Sequence, residues 1–302
     1  MNKEIFYHEP VLLHECIEGL SIKPNGTYLD ATFGGGGHSR AILSHLNTDG
    51  KLIVFDQDAD ARQNVPDDDR ILFVPENFRY AARFVRLYRI GKIDGVLADL
   101  GVSSHQFDTA HRGFSTRFDA QLDMRMDARQ VKTAAHILKE YSEQDLKNMF
   151  EQYGEITNAK ILAKQLVQVR QATQIQTIQQ FKQAIENCVY GNPNKYWAQV
   201  FQALRIELNE ELIVLQEFLE TITPCLAPQA RLCVITFHSL EDRIVKQWIK
   251  NPNKEIPHVL QKIKTQEHTF KTITKKPITA TDNELKSNPR SRSAKLRVAE
   301  YI

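Results

Sequence analysis

Cysteine is scarce in this chain: 4 among 302 residues, at Cys16, Cys188, Cys225 and Cys233, with no pair at C-x-x-C spacing. That excludes a disulfide framework and a cysteine zinc site, and points to free thiols in a reducing compartment. Ten histidines form no H-E-x-x-H or other compact ligand set, so no metal is expected. No apolar run approaches the ~20 residues that span a bilayer, and the longest strand-like stretch is residues 232–237. The opening Met1-Asn2-Lys3-Glu4-Ile5 lacks the apolar segment of a secretory signal, so a cytoplasmic, non-membrane protein is expected. Neither charge sign dominates, with 39 Lys and Arg against 37 Asp and Glu and a net charge of +2. What remains is 42% hydrophobic and 25% charged, the composition of a globular protein long enough to bury one large core or two smaller ones.

The charge is unevenly spread. Residues 241–302 hold 14 Lys or Arg against 7 Asp or Glu, so the remainder is net acidic. A basic C-terminal stretch suits an anionic partner, and a solvated surface is the plainer use of the same residues.

Two hydrophobic periods alternate through the first hundred residues. Runs at 27–33, 51–55, 71–74 and 95–100 read as strands, and 38–45, 58–65 and 78–88 read as helices. Strands separated by helices of this length predict βαβ units and a mostly parallel sheet, an α/β fold. From 133 to 189 helix formers carry a 3.6-residue apolar period, with capping-box spacing at Ser142-x-x-Asp145 and Thr177-x-x-Gln180. This predicts an all-helical insertion that Asn192-Pro193 ends. Beyond it come an amphipathic helix at 206–221, a strand at 230–237, a helix at 239–250, and two edge strands at 270–274 and 296–301. The expected division is residues 1–104, a helical insertion at 105–205, and 206–302.

The strongest local signal is Leu29-Asp30-Ala31-Thr32-Phe33-Gly34-Gly35-Gly36-Gly37-His38-Ser39. A strand runs into four glycines and then a helix, the arrangement that lets a ligand approach bare backbone and a helix N-terminus. Nineteen residues beyond Gly37, Asp56 ends the second strand, where a carboxylate can accept from ribose hydroxyls. A nucleoside-containing cofactor follows. A dinucleotide fingerprint would place Gly or Ala where Ser39 stands, which disfavours NAD without excluding it; S-adenosylmethionine needs no pyrophosphate site. Phe78, beyond the third strand, is placed either to cover an adenine face or to fill the core.

Asp99, in Ala98-Asp99-Leu100-Gly101-Val102-Ser103-Ser104, ends the fourth strand, where it can face a ligand crevice or cap the next helix. Charged residues alternate with Phe and Met around Arg112-Gly113-Phe114-Ser115 and Asp123-Met124-Arg125-Met126-Asp127. Arg290-Ser291-Arg292-Ser293-Ala294-Lys295 is a basic run, and phosphate contacts suit both regions. His238-Ser239 has no G-x-S-x-G elbow, so a hydrolase is rejected.

Together these blocks resemble the bacterial 16S rRNA (cytosine-N4)-methyltransferases of the RsmH (MraW) type. The match also includes His8-Glu9-Pro10, Phe201-Gln202-Ala203-Leu204-Arg205-Ile206, Phe237-His238-Ser239-Leu240-Glu241-Asp242-Arg243 and Asn288-Pro289-Arg290, in the family's order from residue 8 to the C-terminus. Gln199 departs from it, standing where many relatives carry Arg. The resemblance implies a class I, Rossmann-like methyltransferase fold with a helical insertion that binds RNA. It further implies S-adenosylmethionine-dependent N4-methylation of one cytosine in the decoding centre of 16S rRNA within the 30S subunit. Carried over residue by residue, Gly36, Gly37, His38, Asp56, Phe78, Asp99 and Gln106 would touch the cofactor, and Asp99 is the candidate catalytic group. Neither a metal nor a membrane is implied, and a homodimer is left open. A nucleotide-dependent oxidoreductase and a non-enzymatic RNA-binding protein stand as the rival classes.

Overall fold

The computed structural model describes residues 10–250 and 270–302. His8, Glu9, the N-terminal pentapeptide, Pro252 and Pro257 lie outside the described residues.

In chain order, α1 (Leu13–Leu20) precedes β1 (Thr27–Asp30), α2 (Gly37–Ser44), β2 (Lys51–Phe55), β3 (Ile71–Val74), α3 (Ala81–Leu87) and β4 (Ile93–Asp99). Six helices then follow without a named strand: α4 (Ser104–Asp108), α5 (Ala134–Glu140), α6 (Glu143–Gly154), α7 (Ala159–Ala172), α8 (Ile178–Ile185) and α9 (Pro193–Asn209). The chain closes with α10 (Glu211–Ile222), β5 (Leu226–Thr236), α11 (Ser239–Lys250), β6 (Phe270–Thr272), α12 (Asp282–Ser287) and β7 (Lys295–Tyr301). Contacts divide it into two compact units, with breaks at Gly101/Val102 and Glu211/Leu212.

The first unit is a seven-stranded sheet in the order β3-β2-β1-β4-β5-β7-β6. Strands β3 to β5 run parallel, while β7 is antiparallel to both β5 and β6. The inner strands are apolar on both faces, with Leu29, Ile53, Val96, Leu97, Val234 and Ile235 all at 1% exposure or less. This is the burial of a parallel sheet covered by helices on both sides.

Four expectations change in detail. The 58–65 helix is a shorter 3₁₀ turn, Ala59–Asn64, opened by the Asp58 side chain accepting from the Asp60 amide. The 206–221 helix is two helices, because Glu210 turns left-handed (φ 52°) between α9 and α10. Asn192-Pro193 closes one helical stretch but also starts the next: the Asn192 side chain accepts from the amides of Asn194 and Lys195, and Pro193 occupies the first turn of α9. Residues 296–301 are not an edge strand, since β7 is inserted between β5 and β6, and of the two C-terminal strands β6 is the one at an edge. Arg297 can sit in that interior strand because Asp242 accepts from its Nε at 2.7 Å.

The second unit is built around Leu146, Phe150, Leu162, Phe181 and Leu204, contributed by α6 to α9. Its long α4–α5 connection is held by its own charges. Arg125 Nε donates to Asp123 at 2.7 Å, and Arg112 reaches the carbonyls of Arg125 and Met126. Asn209 Nδ2 donates to the Met124 carbonyl while its Oδ1 accepts from the Met126 amide. The arginines offered for phosphate contact in this stretch therefore brace the loop. Among the described residues no helix is long and apolar enough to cross a membrane.

Candidate active site

Strands β1, β2 and β4 end side by side, and the residues just beyond them are tied together by side chains. The glycine turn after β1 is left-handed at Gly34 (φ 51°) and Gly36 (φ 73°), a conformation that costs an ordinary residue about 1 kcal/mol or more. At Gly37 a Cβ would lie 2.2 Å from Pro10 Cγ, so the helix start admits no side chain.

Asp56 faces this turn from the end of β2. Its Oδ2 accepts from the Gly34 amide at 2.7 Å and its Oδ1 from the Asp58 amide at 2.8 Å. Burial pushes its pKa up to about 7 against the pull of those two amides. Each oxygen keeps a lone pair with which to receive a ligand hydroxyl. Asn64 Nδ2 and Arg40 bind the Gly34 and Gly35 carbonyls, fixing the rest of the turn.

Asp99 closes the group from the end of β4. Its backbone amide donates to Thr32 Oγ1 at 2.7 Å, which joins the ends of β1 and β4. Its Oδ1 is buried with no hydrogen-bond partner, and an unanswered buried acceptor is costly. Burial, then the nearby negative charges of Asp30 and Glu241, lifts its pKa to about 8. His38 lies beside it, with Nδ1 3.9 Å from Asp99 Oδ2. The other ring nitrogen, Nε2, is 3.0 Å from the Val11 carbonyl and must donate to it. Burial lowers the His38 pKa, so the neutral ring turns an Nδ1 lone pair toward Asp99. Once Asp99 is ionised, above about pH 8, two acceptors stand side by side, and a ligand donating there answers both.

Sequence reasoning did not pick out the residues that hold this set. Asp30, at the end of β1, accepts from Ser39 Oγ at 2.6 Å and from the Thr32 amide at 3.0 Å, bracing the glycine turn from beneath. Glu241 accepts from the Phe237 amide at 2.8 Å and so secures the turn between β5 and α11. The signal was an acidic or hydroxylic residue at each strand end, which spacing alone does not separate from an ordinary cap.

Phe78 stands beyond β3, and Asn77 Nδ2 donates to Gln57 Oε1 at 2.8 Å, linking the ends of β3 and β2. Its half-buried ring packs edge-on against Phe218, centroids 5.1 Å apart, so the core contact foreseen for it is real and part of its surface remains open. Gly36, Gly37, His38, Asp56, Phe78 and Asp99 thus belong to one unit and to one end of its sheet. Gln106 belongs to the other unit. It is buried in α4, where its amide donates to Ser103 Oγ at 3.2 Å and its Oε1 accepts from the Ser103 amide.

A sheet ordered 3-2-1-4-5-7-6, with its seventh strand antiparallel and an acid-and-glycine cluster at the ends of its first strands, defines the class I methyltransferase architecture. The MraW methylase family model matches residues 5–302. A ribosomal RNA small subunit methyltransferase H from Flavobacterium johnsoniae is 49% identical over 303 residues, covering 100% of both chains. One from Porphyromonas gingivalis is 49% identical over 307 residues, covering 100% of this chain and 99% of its own. Among solved structures, an rRNA methylase from Streptococcus thermophilus aligns over 96% of this chain and 93% of its own, at 10% identity and a TM-score of 0.41. The chain belongs to the MraW methylase family, and its cofactor is S-adenosylmethionine. The residues present fit that group: a carboxylate for ribose hydroxyls, bare glycine backbone, and an orphaned acceptor at Asp99.

Proposed function

We propose that this protein methylates the exocyclic N4 of one cytosine in the decoding centre of 16S rRNA, within the small ribosomal subunit in the cytoplasm. The observation that carries the reading is the Asp99 carboxylate, whose buried Oδ1 has no partner. A cytosine amine is a donor that such an acceptor suits.

When bound, S-adenosylmethionine would supply a sulfonium methyl carbon to which the amine bonds in line as the S–CH3 bond breaks, the neutral thioether leaving and N4 giving up one proton. The chain's own residues supply alignment and electrostatics. Asp56 receives ribose hydroxyls, the Gly36–Gly37 backbone and His38 line the donor's place, and the open part of Phe78 covers its adenine. Asp99 Oδ1 accepts a hydrogen bond from N4–H, which orients the amine and draws its lone pair out of conjugation with the ring. The target base must leave its stack to reach this pocket. The helical insertion and the basic C-terminal segment receive the surrounding RNA.

Asp56, whose carboxyl has a pKa of about 7, also sets how cofactor binding depends on pH. A carboxyl accepts a ligand's hydrogen bonds best when ionised, so binding drives protons off. Affinity for S-adenosylmethionine is expected to strengthen as pH rises from 6 to 8, by up to ~10-fold per pH unit for each proton released, and then to level. Calorimetry at pH 7 in buffers of different ionisation enthalpy should register proton release; a heat independent of buffer counts against this assignment.

The function itself is tested by incubating the protein with labelled S-adenosylmethionine and 30S subunits and mapping the label. Label on N4 of a single cytosine is the expected result. Label at another position, or none, rejects the reading. A comparison of NAD and S-adenosylmethionine binding disposes of the oxidoreductase alternative.

A further inference from the structure

The segment from Arg79 to Lys92 carries five cations, Arg79, Arg83, Arg86, Arg89 and Lys92, and no acidic residue, although it lies in the net-acidic part of the chain. It forms a short 3₁₀ turn, Phe78–Tyr80, that runs into α3. Ala81, Ala82 and Val85 are buried, and the Phe84 ring meets Phe55 of β2 edge-on at 6.0 Å. The opposite face is solvent-exposed and mixes charge with large aromatic and apolar groups: Tyr80 is 45% exposed, Leu87 64% and Tyr88 48%.

The cations do not all serve the fold. Arg79 is paired with Glu217 at 2.7 Å, and Lys92 Nζ donates to the Pro224 carbonyl at 2.8 Å. Arg83, Arg86 and Arg89 are exposed and make no ion pair among the described residues. Arg83 and Arg86 are three apart on a helix and so project from neighbouring positions of one face. Tyr80 precedes α3, and Tyr88 and Arg89 follow it, Arg89 with a left-handed backbone (φ 54°). The Tyr80 end lies beside Phe78, next to the strand ends that carry Asp56. A surface helix meant only for solubility would mix both signs; this one is uniformly cationic, uses guanidinium rather than ammonium for its free charges, and sets tyrosine rings among them. Guanidinium pairs with phosphate oxygens two bonds at a time, and exposed tyrosine offers a face to an unstacked base.

We propose that the exposed face of α3 and the residues flanking it form an RNA-docking surface, in which Arg83, Arg86 and Arg89 hold phosphates of the rRNA flanking the target nucleotide and Tyr80 and Tyr88 pack against its bases or sugars. This rests on the reading of the protein as an rRNA methyltransferase and adds a third contact surface to the helical insertion and the C-terminal segment.

The test uses the full chain and the pair substitution Arg83→Ala/Arg86→Ala, which favours helix and touches no residue of the candidate active site. Binding to protein-free 16S rRNA and to 30S subunits is measured across a salt series, alongside methyl transfer. Loss of two phosphate contacts should reduce the slope of log affinity against log salt by roughly 1–2 and weaken binding ~10-fold. The KM for subunits should rise, while kcat and the S-adenosylmethionine affinity stay unchanged. Arg83→Lys/Arg86→Lys should restore the salt slope. An unchanged slope and KM in the alanine pair overturns the proposal. So does a defect seen with 30S subunits but absent with protein-free rRNA, which would assign the surface to an acidic ribosomal protein. If the unsubstituted protein binds no RNA, the underlying functional reading fails instead, so the two failures are distinguishable.

Discussion

Replacing Asp99 by alanine is expected to slow single-turnover methyl transfer ~100-fold or more at saturating S-adenosylmethionine, the cost of removing one preorganised hydrogen-bond partner from a reacting centre. Cytosine N4 is a weak nucleophile because its lone pair is shared with the ring. A carboxylate on N4–H favours the rehybridised amine, and it does so strongly because Oδ1 is shielded from water and occupied by no protein donor. Asp99→Asn should be slowed comparably, since it keeps the shape and loses the charge. The check is a rapid-quench assay with labelled donor and 30S subunits, with cofactor affinity measured on the same samples. If transfer recovers fully when more cofactor is added, Asp99 holds the donor and not the amine. Unchanged transfer removes Asp99 from both roles.

The pairing of the Asp99 carboxyl with a glycine turn was visible in the sequence because both signals are local. Leu29 to Ser39 spells strand, turn and helix without help from distant residues, and Asp56 and Asp99 each end a run of buried apolar residues. The βαβ half of the fold was legible for the same reason. What escaped depends on partners far away in the chain. The order of β6 and β7 was hidden because the same alternation suits an edge and an interior strand, and the partner that lets Arg297 enter the sheet, Asp242, is 55 residues away. The break between α9 and α10 was hidden because a glutamate, not a glycine, takes the left-handed turn. The bracing of the site by Asp30, Ser39 and Thr32 was hidden because each of them also reads as an ordinary strand-end cap. Arg112 and Arg125 show what a basic motif alone leaves out: nearby backbone carbonyls and the Asp123 carboxylate take up guanidinium donors there.

Holding an ionisable carboxyl at this position has a cost in stability, and Asp99→Asn should expose it. The folded-state pKa of about 8 lies above the ordinary value of 3.8, so folding disfavours the ionised form. The sign follows directly: the penalty is absent below pH 4, grows as pH rises toward 8, and is complete above it. At about 1.36 kcal/mol per pH unit the full displacement corresponds to ~6 kcal/mol. The Asp99 side chain is still 24% exposed, and solvent screening reduces the expected gain for the cofactor-free variant to ~2 kcal/mol at pH 8. The amide can also point its NH₂ toward His38 Nδ1, replacing a contact between two acceptors with one between donor and acceptor. Thermal unfolding of the α/β unit should shift upward by ~4–8 °C at pH 8 and hardly at all at pH 4. A variant no more stable than the parent at pH 8 would mean that Asp99 is already well solvated or paired, and that the strain assigned to this site does not exist.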